Sequence, residues 1–573
     1  MEKLLKGIAA SEGIAIAKVY KLEKAKLNIK KILINDFQKE ITKLEEALIK
    51  AKEQINNLKL KALKKLGEEK AAIFDAHLGI LSDPELKEQV FNMIKNEKIN
   101  ASYAFLIISK NFQELFAQMN DPYMKERASD IKDVSERVLS ILEGKEIKDL
   151  SLINQEVIIL AHDLTPSETS QLNPKFVKGF VTEIGGKTSH SAIMARTLQI
   201  PAIVGIGDEI FKFKDQSQIL IDGTDGILIC YPDQKTKKLY QTKKEQELIF
   251  KKEEKTFKNK SSQSKDGWKT KIAANIGSPD DLVSYHNFGA EGIGLFRSEF
   301  LYMESENWPT EDEQFNAYKK VLQDLKSNLT VIRTLDIGGD KTLKYYQFPK
   351  EMNPFLGYRA IRVQLDQKKL LITQARALLR ASAYGNLGIN LPMIATVDEF
   401  LEVKEVFKKV ENDLKKEGIK IGKYQLGIMV EIPSTVILAD KFAKYSDFFS
   451  IGTNDLIQYT FAVDRMSKSV SYLYQPFNPA ILKSIKTVID SSHKYNKWTA
   501  ICGEMASEEK LAPLFVGMGL DEFSMSATSV LKIRRIISKV DKKDAEKLVE
   551  KVLNLETSQQ VEKILTDYLN KIL

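Results

Sequence analysis

The sequence predicts a multidomain α/β protein whose C-terminal part is a (β/α)8 barrel. Three observations lead there. Eight β-like runs alternate with helical stretches through roughly the last 300 of the 573 residues, the element count of such a barrel. Nearer the start, strand signals lie on both sides of a long helical block, so the block reads as an insertion into a smaller β/α unit. The length itself, at ~100–200 residues per domain, calls for three or four domains.

Two short β-like runs, 13–17 and 19–20, come first. From about Asp36 to Gly144 the periodicity is helical and rich in Leu, Ala, Glu and Lys, which predicts a small antiparallel bundle. Within it, Ser82-Asp83-Pro84-Glu85 is a helix start, with Pro in the first turn and an acid after it. Strand signals return at 156–160, 179–182, 202–205 and 218–221. Next comes a charged connector: residues 233–265 hold eleven Lys and five acids, +6 of the chain's +8 net charge. It reads as an exposed helix ending in Ser261-Ser262-Gln263-Ser264, a flexible break. The expected division is a β/α domain from 1–20 and 145–230, a helical domain at 21–144, a linker helix at 231–265 and a barrel at 266–573.

In the barrel region the β-like runs are 271–276, 292–296, 329–335, 390–395, 426–430, 448–452, 498–501 and 522–525, with helices expected at 311–325, 359–382, 396–415 and 478–495. Chemically capable residues stand at or just past the run ends: Asn275, Arg297, Arg333 with Asp336, and Thr396 in the first half. Glu431, Asn454 with Asp455, Cys502 with Glu504, and Ser524 with Ser526 follow in the second. Strand C-termini of such barrels converge on one active site.

Composition excludes several classes. Only Cys230 and Cys502 occur, so no disulfide framework is expected. No apolar run reaches the ~20 residues of a membrane span, and Lys6 and Glu12 interrupt the N-terminal apolar stretch, so a cytoplasmic chain without membrane insertion is expected. Outside the connector the charge is near neutral, which argues against nucleic acid.

Three constellations carry chemistry. Gly185-Gly186-Lys187-Thr188-Ser189-His190 places His190 near a helix N-terminus, where unpaired N–H groups and the positive dipole end favour an anion. Its three neighbouring hydroxyls suit phosphate oxygens. In the barrel, Arg297 and Arg333 supply planar forks for phosphate or carboxylate, while Glu431 and Asp455 offer oxygen-only ligation suited to Mg²⁺ bridging a substrate phosphate. Cys502, ending an apolar strand with Glu504 two residues on, is a small buried hydrophobe or a proton donor. Cys230, His77, His162, His286 and His493 read as structural, His77 being a candidate for a partner-facing surface.

These residues fall in longer patterns. The His190 stretch resembles the phosphohistidine signature of the phosphoenolpyruvate-utilising enzymes, and residues 447–459, Asp-Phe-Phe-Ser-Ile-Gly-Thr-Asn-Asp-Leu-Ile-Gln-Tyr, resemble that family's second signature. The stretches 292–300, 333–341 and 353–360 extend the likeness, end to end, to the enzyme I family of the bacterial sugar phosphotransferase system. Lys187 and Ser298 stand where that family often has Arg and Thr. The resemblance implies a swivelling phosphohistidine domain in which phosphoenolpyruvate phosphorylates His190. Arg297, Arg333 and Arg465 with Asn454 would hold the substrate phosphate and carboxylate, and Lys341 and Arg359 would contribute. Glu431 and Asp455 would ligate Mg²⁺, and Cys502 would protonate the enolate carbon to give pyruvate. It further implies that the helical domain docks the histidine phosphocarrier protein HPr, that the barrel forms a homodimer, and that hinges lie near 144–150 and 231–265. Pyruvate phosphate dikinase or phosphoenolpyruvate synthase would need a large ATP-grasp domain that residues 1–150 do not provide. A non-catalytic scaffold paralogue would not need the intact set of site residues.

Overall fold

The computed structural model describes residues 2–22, 29–66, 73–118, 122–145, 150–186, 189–303, 305–339, 341, 343–465, 467 and 469–573. The chain divides into two compact units, 1–247 and 248–573.

The first unit is built on an eight-stranded mixed sheet. Its strands are β1 (Lys3–Lys6), β2 (Ile8–Ser11), β3 (Ile14–Leu22), β4 (Val157–Ala161), β5 (Val177–Thr182), β6 (Ala202–Val204), β7 (Gln218–Asp222) and β8 (Ile227–Cys230), in the order β1-β8-β7-β3-β4-β5-β6-β2. β3 is one continuous strand through the exposed Lys18. Its alternation carries the two expected runs as one, because a charge on the outer face does not interrupt pairing. β1, β2 and β8 were not anticipated. β1 and β2 are the sheet's two edges, each four residues long, and Lys3 and Lys6 blunt β1 as edge charges do.

Among the described residues between β3 and β4 lie α1 (Phe37–Leu66), α2 (Ile73–Ser82), α3 (Pro84–Glu97), α4 (Ala101–Gln118) and α5 (Pro122–Leu142). Their shared core includes Leu44, Ile55, Phe74, Val90, Phe105 and Val138. Asp83 caps α3, its carboxylate accepting from the Glu85 N–H at 2.8 Å, with Pro84 as the first helical residue. His77 is not on a partner-facing surface: it is fully buried, with Nε2 3.4 Å from Asp130 Oδ1 and its ring edge-on to Phe74. Phe74, His77 and Leu81 share one face of α2 at helical spacing, and that face is the buried one. α6 (His190–Leu198) follows β5, and the charged connector forms α7 (Gln234–Lys255).

The second unit is a closed barrel of eight parallel strands. In chain order they are β9 (Lys271–Ile276), β10 (Ile293–Arg297), β11 (Leu329–Arg333), β12 (Asn386–Leu391), β13 (Tyr424–Val430), β14 (Phe448–Ile451), β15 (Trp498–Ile501) and β16 (Glu522–Ser526). Phe448 stacks on Trp498 at 4.5 Å with Leu329 and Val331 inside the barrel. Gly427 makes room for it, since a Cβ there would meet the Phe448 ring at 2.6 Å. Closer to the strand C-termini, Leu295, Met429 and Cys502 pack together.

One strand is displaced from its expected place. β12 spans Asn386–Leu391, four residues before the 390–395 run. Pro392 cannot donate to the ladder and ends it, while Met393 turns away with φ 58° and buries its side chain in the loop. Thr396 is therefore not a site residue. It caps α8 (Val397–Lys416) through a reciprocal bond with Glu399.

Candidate active site

A cavity of about 500 Å³ opens at the C-terminal ends of the barrel strands, and nine of the ten expected site residues line it. β11 delivers Arg333, which is buried, and the loop after it brings Asp336 back against the guanidinium at 3.1 Å. Asp336 is the centre of a charge knot. It also accepts from Arg359 at 2.8 Å and from Lys341 at 3.0 Å, and Glu299 pairs with Arg333 from the other side. Burial alone would raise the Asp336 carboxyl, but Arg333, Lys341 and Arg359 outweigh it and hold the group well below the usual carboxylate range. Gly338, at φ +107°, lets the loop pass Arg359 closely, and a Cβ there would stand 2.7 Å from that side chain. Arg297, at the end of β10, is exposed and makes no ion pair with a carboxylate among the described residues.

Opposite this knot stand two carboxylates. Glu431 follows β13 and is buried, with Oε1 accepting the Met393 N–H at 2.7 Å. Burial, then the Asp455 and Asp336 charges, push it up to about 8. Gly452 permits that position, because a Cβ there would lie 2.8 Å from Glu431 Oε2. Asp455 sits in the first turn of α9 (Thr453–Thr460). Its Oδ1 is buried without a hydrogen bond, 3.8 Å from the Arg359 guanidinium and 3.9 Å from Arg465. Asn454 is fixed through its Oδ1, which accepts from the Glu504 N–H at 3.1 Å and from the Tyr474 hydroxyl at 3.4 Å.

Cys502 forms the floor. Its amide donates to the Ile451 carbonyl at 3.1 Å and its thiol points to the same oxygen at 3.6 Å. Burial pushes the thiol up to about 11, so it stays protonated at neutral pH.

In the first unit, His190 opens α6, and Ser189 is the cap, its hydroxyl accepting from the Ala192 N–H at 3.3 Å. Ser191 Oγ lies 3.1 Å from Ser189 Oγ. The His190 side chain, Lys187 and Thr188 lie outside the described residues.

Tyr474 and Glu299 were missed by sequence reasoning. Tyr474 lies in a loop with no periodic signal, and Glu299 sits inside the 292–300 stretch but two residues beyond the charged strand end. Asn275, Thr396 and Ser524 were grouped with the strand-end residues, yet none lines the cavity.

A (β/α)8 barrel whose mouth gathers Arg, Lys and two carboxylates in one cavity has the build of an enzyme acting on a small anion. The comparisons with known proteins are more specific. Models of the phosphoenolpyruvate-utilising enzymes match in three parts: the N-terminal domain over 6–127, the mobile domain over 153–226 and the phosphoenolpyruvate-binding domain over 251–542. The phosphoenolpyruvate-protein phosphotransferase of Mycoplasma capricolum subsp. capricolum is 55% identical across 100% of both chains, and that of Bacillus subtilis is 52% identical over 97% of this chain and 98% of its own. A solution structure of an enzyme I protein covers 42% of this chain and 98% of its own at 45% identity, with a TM-score of 0.40. The chain belongs to the phosphoenolpyruvate-protein phosphotransferase family of enzymes.

Proposed function

We propose that the barrel binds phosphoenolpyruvate, that His190 takes its phosphoryl group, and that the phosphohistidine passes it to HPr, the first step of sugar uptake by the phosphotransferase system. The observation that carries this reading is the single cavity in which Arg297, Arg333, Arg465, Glu431, Asp455 and Cys502 meet. A phosphate and a carboxylate on one small molecule match forked guanidinium donors on one side. Asn454 adds a neutral donor beside them.

The residues also fit a divalent cation. Asp455 Oδ1 is buried without a hydrogen bond, its arginine neighbours standing off at 3.8 and 3.9 Å, and burial with the Asp455 and Asp336 charges pushes Glu431 up, so the pair keeps an open oxygen for a cation. Mg²⁺ held there by Glu431 and Asp455 would neutralise charge on the substrate phosphate. The rest is supplied by the chain's own groups. The P–O bond to the enol oxygen breaks, its electron pair leaves with the enolate, and a P–N bond forms at His190. Cys502 then gives its thiol proton to the enolate carbon, completing pyruvate, and regains a proton from solvent.

Phosphoryl transfer is mostly positioning and electrostatics, and in-line attack brings nitrogen and phosphorus to ~3 Å. The unit carrying His190 therefore swivels to the barrel mouth and then toward HPr, which docks on the helical segment 21–144. The proposal includes a homodimer formed through the barrel. The test is incubation with radiolabelled phosphoenolpyruvate and Mg²⁺: acid-labile label on the chain, lost in His190→Ala, supports the reading. Label that persists in His190→Ala overturns it.

A further inference from the structure

We propose that Asn275 and Ser524 are positioning residues for Cys502, fixing the peptide that carries the thiol, an inference that rests on Cys502 being the proton donor. Neither residue lines the cavity, so whatever they do for the reaction they do through Cys502.

The geometry is a short directional chain. Ser524, fully buried on β16, donates its hydroxyl to Asn275 Oδ1 on neighbouring β9. With its oxygen engaged there, the Asn275 amide must turn its nitrogen the other way. Nδ2 donates to the Cys502 carbonyl at 3.1 Å and, more weakly, to the Ser524 carbonyl at 3.4 Å. The β15–β16 ladder stops at Ile501 paired with Phe523, so the Cys502 carbonyl lies beyond the strand register and Asn275 supplies the bond it would otherwise lack. On the opposite side Ile451 holds the Cys502 amide at 3.1 Å. The residue is thus pinned from β9 and from β14 together.

Gly294 reserves the space for this chain, because a Cβ there would stand 2.2 Å from Ser524 Oγ. A buried hydroxyl given room by a glycine two strands along, on β10, and used to orient an amide has no packing role that an apolar side chain could not fill better.

Proton delivery to an sp² carbon needs the donor over one face at near-contact distance, and about 1 Å of misplacement costs up to about a hundredfold. Phosphate capture depends on Arg297, Arg333 and Arg465 and does not need this anchor. Loosening it therefore separates the two halves of the reaction.

The full-length chain with Mg²⁺ is tested on phosphoenolpyruvate carrying deuterium at one C3 position, turned over once in tritiated water, so that the pyruvate methyl records which face was protonated. Label on the chain is followed in parallel. The wild type delivers to one face. Ser524→Ala and Asn275→Asp, which keeps shape but replaces the donor with an acceptor, form pyruvate about ten- to a hundredfold more slowly and lose face selectivity, while the rate and amplitude of chain labelling hold. Ser524→Thr, retaining the hydroxyl, restores both readouts. The inference is overturned if both disruptive variants keep one-face delivery, or if labelling, melting temperature and rate fall together with selectivity intact, the mark of a general structural role. Cys502→Ala distinguishes the underlying reading: one-face delivery in that variant means that Cys502 is not the donor, whereas its loss there alone means that only the positioning role fails.

Discussion

The two regions proposed to meet phosphate are built in opposite ways. Around the start of α6 the donors among the described residues are a capping serine, a second hydroxyl and helix-terminal amides, all neutral, with the Asp163 carboxylate 3.5 Å from that second hydroxyl. At the barrel mouth Arg333, Lys341 and Arg359 crowd around Asp336, with Glu299 beside them. The difference follows from what each must do. A donor site must extract a phosphorylated acid from water and neutralise charge as the P–O bond breaks, which favours fixed ions in a low-dielectric pocket. An acceptor that must hand the phosphoryl group on is better served by weak, neutral donors than by a deep electrostatic trap.

Removing charge from the mouth gives the largest effect. Arg333→Ala lowers kcat/KM by about 10²–10³, as loss of a preorganised charge donor does. Asp336 keeps Arg359 and Lys341, but Glu299 is left with only Lys341 at 3.7 Å, so the barrel's melting temperature falls as well, by an amount corresponding to about 1–3 kcal/mol. Steady-state kinetics and calorimetry on the same preparation check both.

Removing Cys502, the proposed proton donor, is next. Cys502→Ala slows pyruvate formation by about 10² while the chain still acquires label, and a single-turnover experiment separates the two. Equal loss of labelling would place Cys502 in phosphate capture instead.

A third change acts on the barrel wall. Burial pushes Glu522 up to about 7, above the ~4.3 of an unfolded glutamate. The folded state therefore holds that proton more tightly, so the stability this group permits is full at low pH and declines as pH rises between those values. Glu522→Gln should raise the barrel's melting temperature increasingly from pH 5 to pH 8, by at most about 3 kcal/mol. A gain independent of pH would refute the assignment.

The smallest effect belongs to the neutral region. Ser189→Ala removes the α6 cap and costs about 1 kcal/mol of local helix stability, read as faster amide exchange in His190–Leu198 with the barrel unaffected.

How much of this was legible in the sequence differs between the same regions. β9 and β15 fall where their apolar runs predict, because buried parallel strands are written as short β-branched or apolar segments. The strand-end residues that face the cavity were visible for the same reason. β12 was displaced because its polar Asn386 and Asn390 with Gly388 dilute the strand signal, while the apolar Met393 and Ile394 beyond Pro392 imitate it. Thr396 shows the limit of reading chemistry from a strand end: a hydroxyl that caps a helix looks the same in sequence as one that binds substrate. β1 was hidden by its lysines, which mark it as an edge only once the sheet order is known. Tyr474 and His77 depend on tertiary packing that no local pattern encodes.

The central claim is that one imidazole carries the phosphoryl group. Locating the phosphate by mass spectrometry under alkaline conditions, after incubation with phosphoenolpyruvate and Mg²⁺, addresses it directly. The account predicts a single modified peptide with the group on His190. Phosphate on any other side chain, or a chain that forms pyruvate and carries none, would contradict it.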